Sequence, residues 1–399
     1  MKFFKAAFLI AIMTALLIAQ PAGAQDGSDQ KRHPNYNMLG RDASGTMDPT
    51  TPLNPNFVAS EESKLKEGGF WRSSYINDGL VGMVVEDIDG DGQNEIVYAG
   101  QRTIYVTRFM AGKLQLLAKH SLVKPGTIVS LDAMDLNGNR QKEIICSIQG
   151  EKTAASAIFS FTGSSLETVA ADLPWYLRVV GPADGRFLAG QKPSTQQNHF
   201  YNGSVMRMSL KGNKVVSQGQ VGLPPFVNLF NFTIGRIGSG NNQLVAAIKF
   251  PSEHIHLFEG TNQVWESKEE YGGTMNYLVP PNQESTLREY LPSRLILADI
   301  DGDGRNELIV AKNDRSGVAF MSRLRSFSGG ALQAFKYTNM SLSPFFRTRS
   351  LPGSGVDYAL ADYNNDGSLD LVVAVVMEEK SGMLKDGRSV IIAYEISRP

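Results

Sequence analysis

Short apolar runs recur along the chain in pairs, each pair flanking a tight acidic turn. Val81 to Val85 leads into Asp87-Ile-Asp89-Gly-Asp91-Gly-Gln93-Asn-Glu95, and a second apolar run follows. Ile128 to Leu131 leads likewise to Asp135-Leu-Asn137-Gly-Asn139-Arg-Gln141-Lys-Glu143, and Leu295 to Ala298 to Asp299-Ile-Asp301-Gly-Asp303-Gly-Arg305-Asn-Glu307. Tyr358 to Ala361 leads to Asp362-Tyr-Asn364-Asn-Asp366-Gly-Ser368-Leu-Asp370. Runs this short, bounded by Gly, Asn and Asp, predict strands, so the unit is strand, acidic loop, strand. Two further copies have lost their acids: Gly235-Arg-Ile237-Gly-Ser239-Gly-Asn241-Asn-Gln243, and Gly181-Pro-Ala-Asp-Gly185 between Trp175 to Val180 and Phe187 to Gly190.

First loop positions at 87, 135, about 181, 235, 299 and 362 are separated by the length of one four-stranded propeller blade. The expected fold is therefore all-β, a β-propeller of four-stranded blades. Six blades are counted, with seven as the alternative if Asn56 to Lys66 supplies further strands. Phe70-Trp71-Arg72-Ser73 resembles Val264-Trp265-Glu266-Ser267, which falls at the fourth strand of its repeat. The stretch around Trp71 has no first three strands before it, and Ser389 to Ile396 reads as a third strand with no fourth after it. Together they predict a ring closed by an N-terminal strand.

In each acidic loop, side-chain oxygens at positions 1, 3 and 5, a backbone carbonyl at 7 and a carboxylate at 9 make a cage of hard donors without nitrogen or sulfur. Such a cage suits structural Ca2+ better than magnesium, which resists full dehydration. The candidate ligands are Asp87, Asp89, Asp91, Gln93 and Glu95; Asp135, Asn137, Asn139, Gln141 and Glu143; Asp299, Asp301, Asp303, Arg305 and Glu307; and Asp362, Asn364, Asp366, Ser368 and Asp370. An EF-hand is excluded, because its bidentate acid stands at position 12 between helices. Counting carboxylates ranks the 87–95 and 299–307 loops first, 362–370 next and 135–143 last. Arg140 further weakens that last loop by standing where the others have glycine.

Residues 1–24 have the form of a signal peptide: Lys2 and Lys5, an apolar stretch from Ala6 to Ala19, and Ala22-Gly23-Ala24 as a cleavage site. Residues 25–69, rich in Pro, Gly, Asn and Ser, read as a flexible tail or linker, and 70–399 as the propeller. An exported, periplasmic or extracellular protein follows, with no membrane insertion of the mature chain. The formal charge of −1 for all 399 residues becomes −3 once Lys2 and Lys5 are lost, which excludes nucleic acid as the main partner. Cys146, the single cysteine, sits in an apolar strand, so rigidity comes from elsewhere than an intramolecular disulfide.

These loops resemble the FG-GAP or VCBS repeats of integrin-alpha-like β-propellers over about residues 70 to 399. Trp175-Tyr-Leu-Arg-Val-Val, Leu188-Ala-Gly-Gln191 and Tyr271-Gly-Gly273 look like a subgroup of exported bacterial repeat proteins. The resemblance implies structural calcium loops with ligands bound elsewhere on the ring, and is nearly silent about activity.

His254 and His256 share a strand face but have no evident third ligand in the sequence. No Gly-x-Ser-x-Gly elbow, His-Glu-x-x-His pair or phosphate-cradling glycine loop occurs. The expected role is a noncatalytic binding or scaffold module for protein or glycan; the alternative is a propeller-based enzyme, such as a polysaccharide lyase or calcium-dependent hydrolase. The partner is expected on the face opposite the calcium loops, where long excursions are read at 192–203, 271–291, 341–355 and 378–387. Candidate contacts there are His199, Tyr201, Tyr271, Tyr277, Tyr290, Phe345, Phe346, Arg347 and Arg349.

Overall fold

The computed structural model describes residues 58–59, 66–196, 198–240, 242–280, 287–316, 325–377 and 387–397. The expected leader and most of the expected tail lie outside them. No helix occurs among the described residues. Six sheets with four antiparallel strands each form the ring; in five of them the four strands run in sequence order from the inner strand outward, and the sixth takes its outer strand from the N-terminal side. Their inner strands are Gly82–Glu86, Thr127–Met134, Tyr176–Val180, Phe232–Gly235, Ile296–Ala298 and Gly353–Ala361. They open blades 1 to 6 in that order, and Gly353–Ala361 packs back against Gly82–Glu86.

The apolar runs are nearly unbroken because a blade is buried on both faces. Alternate residues of Glu95–Ala99 point to opposite sides, as the pleat requires. Ile96 and Tyr98 join the core shared with blade 6, whereas Val97 and Ala99 join the core shared with blade 2. Ile145 likewise packs toward blade 3 while Ile144 and Cys146 pack toward blade 2's other neighbour. Six apolar clusters result, centred on the six blade interfaces.

The outer strand of blade 6 is Lys66–Arg72, which pairs antiparallel with Ser389–Ser397 in a register that sets Trp71 opposite Ala393. It begins at Lys66, earlier than the expected boundary at 70. Trp71 reaches across to blade 1, meeting Phe109 edge-on at 5.4 Å and donating Nε1–H to the Gly112 carbonyl at 2.8 Å. Trp265 plays the equivalent part between blades 4 and 5 against Phe335. Val58–Ala59, inside the expected tail, adds a short fifth strand to blade 5 beside Arg347 and Phe346.

One expected excursion is corrected. Within 341–355, Ser341–Arg347 is the outer strand of blade 5, and Gly353 already starts blade 6. The apolar side chains in this stretch fill a blade interface: Phe345 and Phe346 are buried in the core between blades 5 and 6.

Candidate metal loops and binding faces

Every acidic loop connects the first strand of its blade to the second, so all four lie on one face of the ring. Their backbone design is shared. The first aspartate accepts from the amide at position 6 in all four and from that at position 4 in three: Asp87 from Gly90 and Gly92 at 2.8 and 3.0 Å, Asp299 from Gly302 and Gly304 at 2.7 and 2.9 Å, whereas Asp362 accepts from Asp366 and Gly367. Gly92 takes φ +89° and Gly304 +82° at position 6, in the left-handed region that glycine enters freely. Arg140 is held at +75° in the same place, which costs on the order of 1–2 kcal/mol for a residue with a Cβ.

The ninth residue seals each loop from below. Glu95, Glu143, Glu307 and Asp370 are all nearly or fully buried, and each accepts from the amide of loop position 2 with one oxygen. Burial pushes Asp370 up to about 7, with Asp366 and Asp362 adding to the shift, and pushes Glu307 up to about 8. The other oxygen points into the loop, and its surroundings differ. Arg108 Nε donates to Glu95 at 2.6 Å while its Nη2 lies 2.9 Å from Asp91 and 3.4 Å from Asp89. The Asn137 amide bonds Glu143. Lys336 Nζ stands 2.6 Å from Asp301 and 3.1 Å from Asp303. Asp370 Oδ1 is buried and has no hydrogen-bond partner among the described residues.

Calcium is therefore matched unevenly. The all-oxygen donor set and the orphaned Asp370 oxygen of 362–370 fit a divalent cation, because an unpaired buried anionic oxygen is costly and an ion would satisfy it. In 87–95 and 299–307 a side-chain cation already lies among the carboxylates. Asp87, Asp89 and Glu95 do converge, as do Asp299, Asp301 and Asp303, with ligand atoms within 4.8 Å of one another.

Position 8 has a part the sequence reading did not assign. Asn94 Nδ2 donates to the Asp362 carbonyl at 2.7 Å, and Asn306 Nδ2 to the Arg236 carbonyl at 3.1 Å. Each hooks its loop to that of the preceding blade. The degenerate 235–243 turn survives as the anchor for Asn306, whose carbonyl accepts from Gly238 at 3.1 Å. A Cβ on Gly238 would meet the Tyr337 carbonyl at 2.6 Å, so the backbone approach needs glycine.

The ring axis is closed by ions. Arg294 donates to Asp132 at 3.0 Å, to Asp357 at 2.8 Å and to the Leu131 carbonyl at 2.9 Å. Arg178 donates to Asp132 at 2.7 Å, and the Met83 amide to Asp357 at 2.8 Å. Five blades are tied at this point. Asp132 and Asp357 were legible only as single charges inside apolar inner strands. A cavity of about 420 Å³ lies on the loop side of the network, bounded by Asn94, Gly181 and Asp362. At its mouth Arg186 and Lys142 hold Glu86 below the usual carboxylate range, against the push of burial.

The 271–291 insertion crosses the opposite end of the axis. It contains the paired strands Tyr277–Leu278 and Glu289–Tyr290. Leu278 and Leu291 are buried, Asn276 donates to the Val129 carbonyl at 2.6 Å, and Gln149 Nε2 to the Val279 carbonyl at 2.6 Å. Burial raises Glu289 to about 7 despite the bond donated by Asn228 at 3.0 Å. Tyr271 is a buried contact of Phe335, not a surface residue. The surface is formed instead by Tyr277 and Tyr290, 5.6 Å apart, with Arg288 stacked over Tyr277 at 4.3 Å and Arg325 over Tyr290 at 3.9 Å. His199 and Arg349 are exposed; Tyr201 and Arg347 are half-buried. The 378–387 excursion lies almost wholly outside the described residues.

Glu266, on the neighbouring strand, supplies the acidic neighbour that the sequence did not show for the two histidines. It lies 3.2 Å from His254 Nδ1 and 3.7 Å from His256 Nε2. Cys146 is buried, and burial pushes its thiol up, so it is a packing residue.

A family model described as FG-GAP-like repeat matches residues 87–146 and 299–373. No curated protein matches the chain. Among solved structures, BBS1N in a crystal complex with ARL6DN is 15% identical, covers 84% of this chain and 98% of its own, and superposes with a TM-score of 0.42. A glucose dehydrogenase is 10% identical, covers 81% and 99%, and gives 0.44. Likeness at that level carries no functional information. The chain thus carries FG-GAP-like repeats on two arcs of a β-propeller ring of six four-stranded blades.

Proposed function

We propose that this chain is an exported, calcium-stabilised β-propeller acting as a noncatalytic binding or scaffold module, with a protein or glycan ligand on the face opposite the acidic loops. The observation that carries this reading is the 271–291 insertion, which holds Tyr277, Tyr290 and Arg288, with Arg325 from outside the insertion stacked over Tyr290, on a rigid ring whose axis is plugged beneath them. Rigid aromatic and arginine groups lose little entropy on binding and dominate many interfaces. An enzyme of the lyase or hydrolase type needs a base, an acid and a cation converging on one site. A groove of about 770 Å³ across blades 3 to 5 offers Arg207, Arg236 and Arg305 with Asp184 as its one carboxylate, and is lined by neither histidine nor tyrosine. That arrangement supports binding over catalysis.

Deleting the insertion is a poor test, because Leu278, Leu291 and Asn276 hold the ring together from it. The paired substitution Tyr277→Ala and Arg288→Ala leaves those contacts in place. Capture of a partner from native envelope or medium, or of arrayed glycans, should fall at least about tenfold with a melting midpoint within about 2 °C of the parent. Undiminished capture would place the ligand elsewhere.

A further inference from the structure

We propose that Arg108 and Lys336 are built-in counter-ions taking the place of a metal in the 87–95 and 299–307 loops, leaving the 362–370 loop as the divalent-cation site of this propeller. The inference rests on the calcium reading and narrows it to one loop. Carboxylate counting along the sequence gives the reverse order, since 362–370 has three loop carboxylates and the other two have four each.

One register position decides the matter. In each blade the third strand passes beside the ninth loop residue, and the side chain there faces the inward carboxylate. The pairing Ile96 to Thr107 puts Arg108 opposite Glu95, and the pairing Leu308 to Phe335 puts Lys336 opposite Glu307. In blade 2 the pairing Ile144 to Phe159 puts Ser160 there, and the Asn137 amide satisfies Glu143 instead. In blade 6 the residue opposite Asp370 is an acid, Glu395.

The consequence is a difference in local charge. A divalent ion entering the first or fifth blade's loop must displace a tethered cation that contacts two or three of the same carboxylates. In the sixth blade no lysine or arginine among the described residues pairs with Asp362, Asp366 or Asp370. Asp370, 0% exposed, aims its orphaned Oδ1 into that loop. Calcium affinity in oxygen cages rises with ligand charge and falls when a competing cation is present.

Equilibrium dialysis of the full mature chain against radioactive calcium reads the number of tight sites directly. One tight site per chain is expected, and Asp370→Asn should remove it. Arg108→Met and Lys336→Met should each raise the number to two, the freed loop binding at least about tenfold tighter than before. Melting curves of the two variants show whether each is folded, and either alone suffices. Three or four equal sites in the parent, or a tight site that persists in Asp370→Asn, would overturn the inference while leaving the calcium reading in place. An unchanged count in both folded methionine variants would overturn the counter-ion assignment. No calcium bound by the parent or by any variant would overturn the inference and the calcium reading together.

Discussion

Replacing Arg294 by methionine is expected to destabilise the ring by about 3–5 kcal/mol, the range for removing one partner of a buried ion network. Asp132 is 1% exposed and Asp357 4%, so neither can recover by turning to water. Arg178 still neutralises part of Asp132, but Asp357 loses its one ion pair among the described residues. Chemical denaturation of the parent and of Arg294→Met measures the difference, with Arg294→Lys falling between them because it restores the charge without the fork of donors. A loss under 1 kcal/mol would mean that the axis is held by the apolar blade cores alone.

Removing the strand Lys66–Arg72 should have an effect of similar size. A chain beginning at Asn77 loses Phe70, which packs against Tyr394 at 5.5 Å, and Trp71, which meets both Phe109 and Tyr363. Loss of those two contacts amounts to roughly 3–6 kcal/mol by apolar burial. It also leaves the edge of Ser389–Ser397 open to pairing with other chains. The shortened chain is expected to aggregate or melt about 10 °C lower, whereas one beginning at Lys66 should stay close to the parent, losing among the described residues only the Val58–Ala59 pair. Equal stability of the two truncated chains would refute the role given to this strand.

The fold was legible wherever the relevant information is local. Loop positions 1 to 9 repeat at blade spacing, and the Trp71 and Trp265 stretches mark equivalent outer strands that bridge to the next blade. Ser341–Arg347 was misread because its sequence, Ser-Leu-Ser-Pro-Phe-Phe-Arg, mixes a proline with apolar residues and resembles a loop. Phe345 and Phe346 gain their burial from blade 6, which the local pattern does not contain. The candidate site was legible in its ligands and illegible in its charge balance. Arg108 and Lys336 lie 13 and 29 residues after Glu95 and Glu307, and only the strand register reveals that each faces its loop. The Arg294 network draws on residues 83 to 357, and no spacing rule connects them.

Calcium held on the acidic-loop face of the ring is proposed to stabilise the folded state. Calorimetry of the full mature chain in excess EDTA and then in millimolar calcium tests this most directly. An ion bound only by the folded state adds RT ln(1 + [L]/Kd), about 2.7 kcal/mol at a hundredfold excess over Kd, which corresponds to roughly 5 °C for a domain of this size. The account predicts a midpoint higher by about that amount in calcium, reversed by renewed chelation. Superimposable transitions in EDTA and in calcium would contradict it.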